Sequence, residues 1–343
     1  MQREDRNYGI AIIKIFLSFA VVCCHFWAKA SSNIFATILD LLRGLAVPCF
    51  ALISFYYFAE AVQTRDIAKM KKRVTRLFIP YFGWAIIYFA VYSAGLRLFE
   101  LNYSISVTFK DLAWQLLFGS SHVLNPVLWY IWDTIMISYV VFLVYFILPK
   151  ERAVAVMACL TFFAVIMQYT QLNYRIFGNL PYESRYTLGR FLEIFPYASV
   201  GIMLYNYDME SRSKKMSWRG QIIIFVTFLF AGLLPVFQPM EKSFGYSGIQ
   251  SILMSTLLVI GGMSISTIRL PDRAKGVLFV FEKNSLGIYC MHMAAGVVTG
   301  SFMRRFGIEI SSIIYCMLIW IVCLIVSWVI SKIPINAVKR LVN

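Results

Sequence analysis

The chain has 343 residues, of which 60% are hydrophobic and only 14% charged, and its mean hydropathy is +0.71; these values exclude an ordinary soluble globular protein. A net charge of +15 would suggest a nucleic-acid partner in a soluble chain. Here the basic residues are dispersed among the connections between apolar runs and no nucleic-acid motif accompanies them, so the charge reads as membrane topology, with no nucleic acid as partner.

A spanning helix needs about 20 mostly apolar residues. On that measure ten spans are expected, at about 8–28, 42–62, 78–97, 126–148, 153–170, 190–206, 220–237, 248–267, 284–302 and 311–331. The expected fold is therefore an all-α, polytopic helix bundle, a single membrane domain over 1–343, multi-pass in the inner or plasma membrane. Charge gives the orientation: with both termini cytoplasmic, 21 of the 32 Lys and Arg fall on the inner side, and Arg304 with Arg305 is the local violation. Ala28-Lys29-Ala30 has the form of a signal-peptidase site, but Lys14 interrupts the apolar region and the leading MQREDR is charge-balanced, so an uncleaved first helix is expected. All seven cysteines lie in apolar runs without a CxxC pair and read as small core residues.

The first span, IIKIFLSFAVVCCHFW, carries Lys14 and His25 eleven residues apart. That is close to three helical turns, so they share one face about 16 Å apart, with Ser18 on the same stripe. Ionisable groups inside a bilayer are costly and usually face a polar interior. Lys14 either snorkels to the inner headgroups or holds an anionic group or carboxylate within the protein. His25 is either a general base, as a neutral imidazole can be near neutral pH, or a donor to a neighbouring carbonyl.

The connection before the third span, KMKKRVTRLFIPYFGW, packs Lys71, Lys72, Arg73 and Arg76 at the inner mouth. It is either a topology signal in contact with anionic lipid or a clamp whose Arg forks match phosphate geometry. In the outer connection 98–125, VTFKDLAWQLLFG has the apolar stripe of an interfacial helix, and 171–189 is aromatic and charged; both are headgroup anchors or a rim for an acceptor. Asp133 and Glu193 are further ionisable groups within spans. Late in the chain, NSLGIYCMH sets Ser285, Tyr289 and His292 on one helix face, with His292 either a satisfied interior histidine or part of a site. No GxSxG elbow, HExxH pair or Walker loop is present, which excludes the hydrolase, zinc-protease and ATPase classes that depend on them.

In this order the motifs resemble those of the acyltransferase 3 family, membrane-bound O-acyltransferases that modify bacterial surface glycans. KIFLSFAVVCCH is similar to that family's first-helix pattern of a basic residue eleven before a histidine. CFALISFYYF is similar to its FFLISGYF, with Ser54 matching and Phe55 in place of Gly. KKRVTRLFIPY, LWYIW and SLGIYCMH resemble three further family elements. The resemblance implies a stand-alone enzyme that moves an acyl group, acetyl above all, from cytoplasmic acyl-CoA to a hydroxyl of a lipid-linked sugar or polysaccharide. It implies His25 as the essential histidine, read here as base or transient acyl carrier, for which Ser54, Tyr289 or His292 is the expected oxyanion donor. Lys14, Lys72, Arg73 and Arg76 would face the co-substrate acyl-CoA, and Trp129, Tyr289 and Ser285 the acceptor. No permanently bound cofactor or metal is expected. The competing reading is a transporter or flippase whose intramembrane Lys, His, Asp and Glu form a permeation path.

Overall fold

With no water in the hydrocarbon to satisfy them, backbone polar groups must pair within the segment, and for these apolar runs that dictates helices. The computed structural model describes residues 7–27, 34–98, 107–119, 127–170, 176, 182–237, 248–265 and 270–342, and it is all-α, with no strand among them. In chain order the helices are α1 (Tyr8–Phe26), α2 (Ile34–Gln63), α3 (Ile67–Leu98), α4 (Phe109–Phe118), α5 (Trp129–Ile147), α6 (Lys150–Tyr169) and α7 (Tyr182–Asn206). They are followed by α8 (Met209–Lys214), α9 (Trp218–Phe237), α10 (Ile249–Ile265), α11 (Asp272–Arg305), α12 (Ser312–Lys332) and α13 (Asn336–Lys339).

Seven of these carry segments long and apolar enough to cross a membrane: Tyr8–Phe26, Leu42–Gln63, Ile67–Ser93, Trp129–Ile147, Lys150–Gln168, Asp272–Arg305 and Ser312–Lys332. Trp218–Gly232 and Ile249–Ile265 are apolar but shorter. The expectation of ten spans is therefore met in part. The other three expected spans fall on those two described stretches, within α9 and α10, and on α7, where Arg190 and Glu193 interrupt the apolar sequence. Ala28-Lys29-Ala30 and most of the connections 98–125 and 171–189 lie outside the described residues.

Local chemistry sets the helix ends. The Asn7 side chain accepts the Ile10 amide and caps α1. Thr108 and Asp111 cap α4 reciprocally, and Gly119 ends it at φ 73°, a left-handed conformation that favours glycine. The expected interfacial helix is thus α4, its Phe109 and Leu117 exposed and its Gln115 buried.

α1 is the pivot of the bundle, packed against α2, α10, α11 and α12, with Ile10, Leu17, Ala20, Val22 and Cys23 wholly buried. In lipid, helices associate through close approach of small residues rather than through hydrophobic expulsion from water. Gly9 of α1 meets the backbone of Gly262 in α10, and Gly296 of α11 lies against the Phe26 ring. A Cβ at Gly201 of α7 would stand 2.6 Å from the Leu52 carbonyl oxygen, so α7 and α2 come together only with glycine there. The outward faces are apolar: Phe162, Phe163, Ile223, Phe225 and Phe230 are each more than half exposed. Such a surface belongs against lipid.

Candidate active site

The first-helix stripe inferred from spacing makes three separate contacts. Lys14 donates to Glu282 Oε1 of α11 at 3.1 Å and lies 5.6 Å over the Tyr57 ring. Ser18 accepts the indole N–H of Trp320 in α12 at 2.9 Å. His25 meets His292 of α11, with ring centres 5.2 Å apart.

That histidine pair is asymmetric. His292 is fully buried, and its Nδ1 lies 2.7 Å from the Tyr289 carbonyl oxygen. A carbonyl can only accept, so Nδ1 carries the proton and Nε2 presents its lone pair. Nε2 is buried with no hydrogen-bond partner among the described residues. His25, one residue from the end of α1, is exposed. The two imidazoles are walled by Phe26, whose ring lies 6.5 Å from His292 and 5.8 Å from Tyr315. Beside them the Tyr88 hydroxyl donates to the Cys290 carbonyl at 2.8 Å and accepts the Ala294 amide at 3.1 Å. A side chain thus enters the hydrogen-bond ladder of α11 at His292, a local device for setting the direction of that turn. The charges acting on His25 are two guanidiniums, Arg43 of α2 and Arg190 of α7. Arg43 also donates to the Cys24 carbonyl at 3.4 Å, which fixes it beside the end of α1.

Arg73 occupies the other end of the bundle. Its Nε donates to Ser138 Oγ of α5 at 2.9 Å, its Nη2 to Ser54 Oγ at 2.9 Å and its Nη1 to the Ser54 carbonyl at 3.0 Å. The guanidinium carbon lies 4.3 Å from the centre of Phe58 and 4.9 Å from that of Phe55. Phe55, which stands where the family pattern has glycine, therefore forms a cation–π wall under the arginine. Arg73 turns inward and ties α2, α3 and α5 together, whereas Lys72 and Arg76 are exposed. Arg73 and Arg76, three apart on α3, therefore differ in exposure, Arg73 being partly buried and Arg76 exposed. Ser54 lies with Arg73 and away from the histidines. Since Arg43 is level with Cys24, Ser54 is eleven residues, about 16 Å, further along α2. Lys14 is likewise held by a carboxylate at the Arg73 end.

Of the residues assigned to the acceptor, Tyr289 lies 6.0 Å from His292 in ring centres, and its hydroxyl donates to the Val127 carbonyl, anchoring α11 to the start of α5. Ser285 donates to its own helix, to the Glu282 carbonyl at 2.9 Å. Trp129 lies 3.9 Å beneath the guanidinium of Arg190, which stacks on Tyr186 at 3.8 Å. Asp133, 2% exposed, has Oδ2 without a hydrogen-bond partner among the described residues, and the charges acting on it are Arg190 and Glu193.

Three contributors escaped the sequence reading. Arg43 and Arg190 had been counted only as outer topology charges, although Arg190 and Glu193 are three apart at the start of a span, a spacing that sets both on one helix face. Glu282 was missed because α11 starts well before the apolar run at 284–302, and the added turns carry the carboxylate to Lys14.

The site thus joins a paired imidazole centre, flanked by two guanidiniums, to a cationic opposite end, all within a membrane bundle. No match was found among curated proteins or among solved structures. A family model described as an acyltransferase domain matches residues 7–332, nearly the whole chain, and the protein therefore belongs to the acyltransferase 3 family of membrane acyltransferases.

Proposed function

We propose that the protein is a membrane O-acyltransferase that moves an acyl group, acetyl in the first place, from cytoplasmic acyl-CoA to a hydroxyl of a cell-surface or lipid-linked glycan. One observation carries this reading: His25 lies beside a buried histidine whose Nδ1 is committed to a carbonyl and whose Nε2 is bare. Two adjacent imidazoles with a free lone pair are suited to holding and passing a proton. In the proposed reaction His25 takes the proton of the acceptor hydroxyl as the oxygen bonds to the thioester carbonyl carbon. The C–S bond then breaks, and the thiolate leaves with the proton returned by the imidazolium. Arg43 and Arg190 favour the negative charge that develops on the carbonyl oxygen. His292 orients His25 and shares its proton.

At the other end, exposed Lys72 and Arg76 are the groups suited to the CoA phosphates, with Arg73 holding the helices that carry them. Ten spans with both termini cytoplasmic, in the inner or plasma membrane, fit the charge distribution and would set that end toward the CoA pool. Purified protein in lipid nanodiscs, given labelled acetyl-CoA, is expected to release CoA and label glycan extracted from the producing cell. Movement of glycan across liposomes without acyl-CoA, and no labelling with it, would instead identify a carrier.

A further inference from the structure

Four helices bring together a second group of buried polar side chains, which the acyl-transfer chemistry does not use. Asp133 on α5 is 2% exposed, and Oδ2 faces no donor among the described residues. Gln115 on α4 is wholly buried, and its amide oxygen likewise meets no donor. Tyr81 on α3 connects the two: its hydroxyl donates to the Gln115 backbone carbonyl, its ring centre is 5.5 Å from that of Trp132, and Asp133 is among the charges acting on it. On α7, Glu193 is half-buried, and Arg190 stacks between Trp129 and Tyr186. α4 is held against this group by the Thr187 hydroxyl on the Phe118 carbonyl at 2.7 Å and by Gly119 against Trp132.

We infer that Asp133, Glu193 and Gln115, beside the Trp129 ring and under α4, form the subsite that receives the ring hydroxyls of a sugar unit of the acceptor. The chemistry of these side chains selects this ligand class. Buried oxygens without donors are costly, and a hydrocarbon chain would leave them so. A polyhydroxyl ring supplies O–H donors to the carboxylates and amide, accepts from Arg190, and offers an apolar face to Trp129. The location fits as well, because Arg190 acts on both Asp133 and His25.

This inference rests on the proposed acyl transfer, and the test separates the two. Wild type, Asp133→Asn and Glu193→Gln in nanodiscs are given labelled acetyl-CoA and increasing amounts of glycan extracted from the producing cell. Each variant is expected to need at least tenfold more glycan for half-maximal labelling, with half-saturation for acetyl-CoA unchanged. Wild-type glycan half-saturation in both variants overturns the inference, including when Asp133→Asn lowers the thermal midpoint, which would mark a structural carboxylate. If Asp133→Asn does not fold, Glu193→Gln at its half-buried position decides alone. If wild type labels nothing, the proposed function falls and the subsite with it; if wild type labels normally and the variants match it, only the subsite falls.

Discussion

The two ends of this bundle handle buried polarity in opposite ways. Around Arg73, three guanidinium nitrogens donate to Ser54 and Ser138, and two aromatic rings cover the remaining surface. Around His25, His292 Nε2 and Asp133 Oδ2 are buried with no partner among the described residues. A buried polar group in a membrane interior is costly unless it is paired, so the Arg73 network stabilises the helices it ties together. The Arg73 end thus holds a satisfied guanidinium network, whereas the His25 end holds polar atoms without partners among the described residues.

Five substitutions can break or sharpen that contrast. Arg73→Met removes three charge-assisted hydrogen bonds and should cost about 3 kcal/mol or more in stability, seen as a lowered thermal midpoint in detergent; a stable variant with weakened acyl-CoA binding would return Arg73 to a phosphate role. His292→Ala should reverse the pattern, leaving the midpoint close to wild type while acetyl transfer falls about 10²-fold. Arg76→Ala should raise the acetyl-CoA concentration for half-maximal rate about tenfold, matching one lost charge-assisted contact. Because Arg76 is exposed, that difference should shrink as salt is added. The smallest effect belongs to Lys14 and Glu282, whose side chains are 19% and 25% exposed. Lys14→Met alone should cost about 1 kcal/mol, and adding Glu282→Leu should recover most of it, since no charge is then left unpaired.

The sequence carried whatever depends on spacing within one helix. Lys14, Ser18 and His25 repeat at near-integral turns, and each does meet α11 or α12. The amphipathic run VTFKDLAWQLLFG pointed to α4 in the same way. What spacing does not carry is which helices are neighbours. Arg73 and Arg76 are three apart, yet Arg73 turns inward because Ser54 and Ser138 come from helices whose placement only tertiary packing decides. The same limit hid Glu282, and it hid Arg190, which acts on both His25 and Asp133 from a helix far along the chain. Ser54 illustrates the converse: its match to a family pattern was legible, but its partner is the arginine rather than a histidine.

The central claim is that His25 is the group through which the acyl acceptor is activated. Its most direct test is labelled-acetyl transfer from acetyl-CoA to extracted glycan by purified His25→Ala protein that matches wild type in size-exclusion profile and thermal midpoint. The account predicts that labelling falls to the no-enzyme background. Labelling within a fewfold of wild type would contradict it and move the chemistry to another part of the bundle.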